Sequence, residues 1–273
     1  MYANPKSSAR AAITVPRLHE MKAKGEKIVV LTAYDASFAA QCEAAGVDIV
    51  LVGDSLGMVV QGHSSTLPVS VDEIVYHSAA VARGLSGTLL IADMPFLSFR
   101  DIDTALRTSE RLMAQGGAAM VKLEGADYVL DIVHALARRA VPVCAHLGLT
   151  PQSVHKLGGY RVQGKTKAAA DQLLADAKAL ADAGADLLVL EAVPAALAKR
   201  VTTEIPIPTI GIGAGVDCDG QVLVLYDMLG ITPGKRPRFA KDFLAGKGSV
   251  LEGIRAYVEA VRAGKFPAAE HAF

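Results

Sequence analysis

A chain of 273 residues with 28 basic and 28 acidic side chains, and no block of Lys or Arg, offers no electrostatic footprint for nucleic acid or a membrane surface. Its 51% apolar residues fall in runs that Asp or Gly interrupts well short of the roughly 18 residues of a membrane span, and the N-terminal MYANPKSSAR lacks the apolar core of a secretion signal. Cys42, Cys144 and Cys218 are widely spaced and odd in number, giving neither a disulfide framework nor a zinc motif, so a reducing cytoplasm is the expected compartment.

Residues 1–12 read as frayed. A short amphipathic helix follows, with Leu18 and Met21 facing inward and Gly25 as its stop. The first strand is expected over 28–34, with Asp35 capping an alanine-rich helix that runs to Gly46, and the second over 48–52. The segment from Gly57 to Ser70 is a long loop, after which Asp72 and Glu73 open another helix. Further strands are expected over 88–92, 118–123, 141–145, 185–190 and 208–212. The helices between them cover 101–115, 128–139, 168–183 and 195–203. A second long loop spans 148–165. Residues 221–226 can form an eighth strand, although the space before it is too short for a full helix, and a last amphipathic helix covers roughly 240–262.

Continuous apolar strands alternating with amphipathic helices imply a parallel sheet covered on both faces. Seven or eight such units, with no composition shift to mark a boundary, favour one closed (β/α)8 barrel over residues 1–273, with an open doubly wound sheet as the alternative.

Polar residues gather where these strands end, which is where barrel enzymes build their sites. The second strand runs into Gly53, Asp54 and Ser55, and the third into Asp93. Each Asp alone could cap a helix. As a pair near 4 Å they would repel by roughly 4 kcal/mol, so a cation between them or a retained proton is expected. With no His or Cys cluster beside them, an oxygen-liganded Mg²⁺, or Mn²⁺ in its place, is indicated. Lys122 and Glu124 lie two apart on a strand and so face the same way, with Val121 and Leu123 turned outward. They are either a buried ion pair or, functionally, a carboxylate-binding charge and a group that joins or orients the metal shell. Glu191 ends an apolar run; it is either a helix cap or an isolated carboxylate whose raised pKa suits a general base. His146 belongs to the site lining without an assigned role. The glycines of 210–215 suit close packing or close substrate approach better than a phosphate cradle. Arg161 and Lys165 read as solvated charges, and the loops that hold them and His63 are long enough to be lids.

Eight motifs occur in one order: Leu31-Thr-Ala-Tyr-Asp35, Val52-Gly-Asp-Ser-Leu-Gly57, Gln61-Gly-His63 with Thr66-Leu-Pro68, Ala92-Asp-Met-Pro-Phe96, Val121-Lys-Leu-Glu-Gly125, His146-Leu-Gly-Leu-Thr-Pro-Gln-Ser153, Gly158-Gly-Tyr-Arg-Val-Gln-Gly164 and Ile210-Gly-Ile-Gly-Ala-Gly215. Together they resemble the ketopantoate (3-methyl-2-oxobutanoate) hydroxymethyltransferase family over about residues 13–260. The resemblance implies a (β/α)8 TIM barrel of the phosphoenolpyruvate/pyruvate type, assembled as a homo-oligomer, usually a decamer. It also implies one Mg²⁺ per subunit and transfer of a hydroxymethyl unit from 5,10-methylenetetrahydrofolate to 3-methyl-2-oxobutanoate (α-ketoisovalerate). The product is ketopantoate, formed through a Mg-stabilised enolate on the route to pantothenate and coenzyme A. Carried over by motif, Asp54 and Asp93 match metal ligands and Glu124 a metal-associated carboxylate. Asp54, Ser55, Asp93 and Lys122 match substrate contacts, and Glu191 matches the proton acceptor. His155 stands where the family has Asn, a departure that bears on the folate side only. The rival enzymatic reading is a Mg²⁺-dependent lyase or mutase of the phosphoenolpyruvate/pyruvate barrels, although no Cys follows such a motif here. A non-catalytic metabolite-binding barrel is the reading from another class.

Overall fold

Helices that carry each strand back to the same end of a sheet make its strands parallel. The computed structural model describes residues 11–234 and 236–273, so most of the segment expected to fray, residues 1–10, lies outside the described residues. Eight strands, β1 (Ile28–Thr32), β2 (Ile49–Val52), β3 (Leu89–Asp93), β4 (Met120–Glu124), β5 (Val143–Gly148), β6 (Leu187–Glu191), β7 (Thr209–Ile212) and β8 (Gly220–Leu223), pair in parallel and close in sequence order. β8 meets β1 through Ile28↔Gly220 and Val30↔Val222. The approach is tight: a Cβ at Gly220 would lie 2.3 Å from the Ile28 carbonyl oxygen, so only glycine allows the last strand to dock. The closed barrel removes the open-sheet alternative.

The helices α1 (Val15–Lys24), α2 (Ala36–Ala45), α3 (Leu56–Val59), α4 (Val71–Ala82), α5 (Ile102–Glu110), α6 (Leu130–Ala137), α7 (Val154–Leu157), α8 (Lys167–Asp182), α9 (Ala195–Glu204), α10 (Leu225–Met228) and α11 (Val250–Arg262) complete the described elements apart from short 3₁₀ and π turns. Their starts follow cap chemistry. Thr14 caps α1, Asp35 caps α2, and Ser70 with Glu73 forms a reciprocal capping box on α4.

Alternation along each strand sorts side chains into two cores. Val29, Val50, Leu90, Val121, Leu123, Ala145 and Leu190 face outward against the helices. Ile49, Leu51, Ile91, Met120, Cys144, Val189 and Ile212 face into the barrel, where Leu18 and Met21 of α1 plug one end. Val121 and Leu123 thus point away from Lys122 and Glu124, as the spacing predicts.

Three expectations are corrected. The helix expected over 101–115 is α5 followed by a π turn over Arg111–Gln115. The final helix begins at Val250 rather than near 240, because Gly246 takes a left-handed φ of 74° and Ser249 supplies the cap. Asp93 and Glu191 do not follow their strands but end them, and His146 lies inside β5, because the ladder runs on through Asp93↔Lys122 and Gly148↔Glu191. Asp54 does lie beyond its strand, past Gly53.

Candidate active site

Continuing the inward-facing alternation one step past the apolar interior gives Asp93 after Ile91, Lys122 and Glu124 after Met120, His146 after Cys144 and Glu191 after Val189. Five ionisable side chains therefore point into the barrel at one end, contributed by four consecutive strands. Gly53 holds the equivalent place after Leu51. A Cβ there would sit 3.2 Å from Asp93 Oδ2 and 3.0 Å from Ser55 Oγ, so its absence leaves room for both.

Asp54, Asp93, Lys122, Glu124 and His146 are all buried. Lys122 Nζ donates to Asp93 Oδ1, and the Asp54 backbone N–H donates to Asp93 Oδ2 at 2.9 Å. Burial and then the charges of Asp93 and Glu124 push the Asp54 carboxyl up to about 8. Burial pulls on the Lys122 ammonium, but Asp93, Glu124 and Asp54 outweigh it and hold the group above its ordinary value. Burial would raise Glu124 as well; His146 and Lys122 overcome it and leave that carboxyl below its usual range.

His146 bridges two carboxylates. Its Nδ1 is 3.3 Å from Glu124 Oε1 and its Nε2 is 3.4 Å from Glu191 Oε2, charge contacts that miss hydrogen-bond geometry. Burial and Lys122 press the imidazole down, yet the two carboxylates raise it to about 9. Glu191, whose side chain keeps 15% of its surface exposed, is thus not the isolated carboxylate expected. It faces a histidine.

Ser55 lies beside Asp54, and its Oγ is 2.8 Å from the Tyr34 hydroxyl. Two residues whose roles the sequence left open are Gln152 and Tyr160. The Gln152 backbone N–H donates to Glu124 Oε2 at 3.0 Å, and its Nε2 donates to Asp54 Oδ2 at 2.9 Å. Tyr160 bonds Met58 Sδ across the two long loops. Burial, then Asp54, Glu191 and Glu124, raises its phenol above the ordinary value, so the loop lies within reach of the carboxylates' field. Arg161, Lys165, His63 and His155 are exposed. The glycines of 210–215 pack closely: a Cβ at Gly215 would lie 2.6 Å from that of Ala195.

Among the described residues, no three His, Cys, Asp or Glu side chains are grouped as a ready metal site. The donors present nevertheless suit a hard cation. Asp54 is a buried carboxyl lifted by neighbouring negative charge, and Glu124 Oε1 is buried with no hydrogen-bond partner. A Mg²⁺ ion needs only one or two protein carboxylates when water and substrate oxygens complete its shell.

The family model described as ketopantoate hydroxymethyltransferase matches residues 12–269. The chain belongs to the ketopantoate hydroxymethyltransferase family. It is 57% identical over 273 residues to the 3-methyl-2-oxobutanoate hydroxymethyltransferase of Alkalilimnicola ehrlichii, covering 100% of this chain and 99% of that one. It is 58% identical over 266 residues to the protein of the same name from Paraburkholderia phymatum, covering 97% and 98%. Among solved structures the family's barrel resembles phosphonopyruvate hydrolase, with a TM-score of 0.62 at 15% identity over 93% of this chain and 98% of that one. It also resembles 2,3-dimethylmalate lyase, a PEP mutase/isocitrate lyase superfamily member, with a TM-score of 0.57 at 16% identity over 81% and 84%. The expected (β/α)8 barrel is therefore the observed fold, and these structures share it. The full-length identity of the hydroxymethyltransferases sets the chain apart from the lyase and mutase rivals that share only that fold.

Proposed function

We propose that this chain transfers a hydroxymethyl group from 5,10-methylenetetrahydrofolate to 3-methyl-2-oxobutanoate, giving 2-dehydropantoate (ketopantoate), as a Mg²⁺-dependent step toward pantothenate and coenzyme A. The observation that supports this reading is the inward row Asp93, Lys122, Glu124, His146 and Glu191 at one barrel end, in a chain whose full-length relatives are named for hydroxymethyl transfer on 3-methyl-2-oxobutanoate. Asp54 and Asp93 would hold the metal, with Glu124 joining or orienting its shell. When bound, Mg²⁺ supplies Lewis-acid polarisation of the keto group. Asp54, Ser55, Asp93 and Lys122 line the substrate's place. There the Lys122 ammonium offers a point charge to the substrate carboxylate, and Ser55, held by Tyr34, offers a hydroxyl. Glu191 Oε takes the C3 proton, and the nearby His146 keeps its ring edge toward the same oxygen. The resulting carbanion equivalent forms a C–C bond to the one-carbon unit delivered by the folate, and water supplies the hydroxyl oxygen. The carbon's bonds to the two folate nitrogens break, so that tetrahydrofolate leaves with the protons on those nitrogens. The buried surroundings of Asp54, Asp93 and Glu124 keep bulk water from screening these charges.

The same reading takes residues 1–273 as one catalytic domain, set in the cytoplasm and assembled as a homo-oligomer, with a decamer as the expected size. Three buried, unpaired cysteines suit a reducing compartment, and among the described residues no helix is long and apolar enough to cross a membrane. Tyr76, Leu97 and Tyr128 are exposed, which suits burial against neighbouring subunits.

The test is proton NMR of 3-methyl-2-oxobutanoate in D₂O with enzyme and Mg²⁺, with and without methylenetetrahydrofolate. Enzyme-dependent loss of the C3 proton signal is expected without the folate, and ketopantoate with it. A barrel that only binds the ketoacid would leave C3 unexchanged.

A further inference from the structure

We infer that Gln152 is a positioning residue that aims two carboxylates of the metal site, Asp54 and Glu124, by gripping one oxygen of each and leaving the other for the cation or its shell. The inference rests on the Mg²⁺ reading above and adds a residue to it. Gln152 lies in a short 3₁₀ turn, Pro151–Ser153, directly after β5, where the chain is otherwise turning into a long, partly exposed loop. It is itself buried, 7% exposed.

Every donor it carries is spent. The backbone N–H goes to Glu124 Oε2 at 3.0 Å. The two side-chain N–H groups go to Asp54 Oδ2 at 2.9 Å and to the Met94 carbonyl at 3.0 Å. The amide is not turned round, because its oxygen would then face the Met94 carbonyl, which can only accept. One residue thus joins the turn after β2, the end of β4 and the residue after β3.

The division of oxygens is what gives the contact a function. With Oε2 of Glu124 held, its Oε1 is left buried and without a hydrogen-bond partner, facing His146. With Oδ2 of Asp54 held, the opposite oxygen is the one left for a cation. Lys122 also restrains a carboxylate, Asp93, but it does so with a positive charge that competes with a metal. Gln152 restrains Asp54 with a neutral donor, which fixes direction without competing. The same contacts seat the loop from 149 to 165 on the site, so loss of the amide should loosen both.

Substitution Gln152→Met keeps length and bulk but removes the two N–H donors. Mn²⁺ alone, titrated into the substrate-free protein and followed by electron paramagnetic resonance, reads the site without reference to turnover. Parent protein should bind Mn²⁺, and Gln152→Met should bind it about 10- to 100-fold more weakly, with an altered spectrum of the bound ion. If the Met variant does not fold, judged by its thermal melt, Gln152→Asn keeps the donors at a shorter reach and should show the same direction of change. Parent-like Mn²⁺ affinity in a folded variant assigns Gln152 to packing and overturns the inference alone. Parent protein that binds no Mn²⁺ overturns the metal reading itself, and this inference with it.

Discussion

Lys122→Met removes the positive side chain that is paired with Asp93 deep in the barrel, and its consequence can be worked from the charges around it. Lys122 and Asp93 have side chains only 5% and 4% exposed, and Asp54 and Glu124 face the same ammonium. Without it, Asp93 is left buried beside Glu124 and the Asp54 carboxyl, with His146 as the nearest remaining cation. Breaking a buried pair by deleting one partner costs roughly 3–5 kcal/mol. For a chain of this size each kcal/mol moves the melting temperature by about 2–4 °C, so the metal-free variant should melt roughly 6–20 °C below the parent. Scanning calorimetry in chelator near neutral pH measures this. Adding Mg²⁺ should narrow the gap, because a divalent cation replaces the missing charge, and should do so more for the variant than for the parent. Isothermal calorimetry with Mg²⁺ present should show weaker binding of 3-methyl-2-oxobutanoate, since the carboxylate has lost its partner. A metal-free variant melting within a degree or two of the parent, with unchanged ketoacid affinity, would refute the reasoning and leave Lys122 a spectator.

Glu191→Gln keeps the shape of the side chain and removes the basic oxygen. Ketoacid and Mg²⁺ binding by calorimetry should survive, while C3 exchange and turnover fall together by about 10²- to 10⁴-fold; exchange at the parent rate would move the base elsewhere, with His146 next in line. Chelation should abolish activity and Mg²⁺ restore it, with Asp54→Asn weakening the metal response; full activity in a chelated, metal-free preparation would remove the metal assignment. Because Asp54 is pushed up to about 8, the folded metal-free protein keeps a proton there that the unfolded chain releases near the ordinary carboxylate pKa of 3.8. That contribution to stability is present at low pH and is lost as pH rises toward 8. Mg²⁺ binding near pH 7 should therefore expel a proton, read as a dependence of the calorimetric heat on the buffer's ionisation enthalpy. Sedimentation at micromolar concentration should show a particle far heavier than the 28.5 kDa chain, and a clean monomer would refute the assembly alone.

The parts of this protein legible in sequence are those written as local periodicity. Continuous apolar runs pointed to seven strands and allowed an eighth over 221–226, which the structure places at Gly220–Leu223 with Leu225 and Tyr226 already in α10. Two charges spaced by two in Val121-Lys-Leu-Glu124 showed which face of β4 turns inward. What was not legible depends on register between strands. His146 meets Glu124 because they are partners across β4 and β5, and it meets Glu191 because Gly148 pairs with Glu191 one strand further on. Nothing within either motif announces that contact, so Glu191 read as isolated. Gln152 is a still harder case. A neutral residue in a loop carries no charge or periodic signal, and its reach to Asp54 spans 98 positions of sequence.

Register also explains why the site and the core cannot drift apart. In β3, β4, β5 and β6 the ionisable residue sits two places after an inward apolar one: Ile91 before Asp93, Met120 before Lys122, Cys144 before His146, Val189 before Glu191. A slip of one residue in any of these strands would turn the charge outward beneath the helices and bring an outward residue such as Ala92, Val121 or Leu190 into the site. The charge would then be buried among aliphatic side chains without a partner, at a cost of several kcal/mol, so the arrangement that places the chemistry is also the one that the core enforces. The second strand obeys the same alternation with no side chain at all. Gly53 follows Leu51 at the inward place, and the volume that it leaves empty is taken by the carboxylate of Asp93 and the hydroxyl of Ser55.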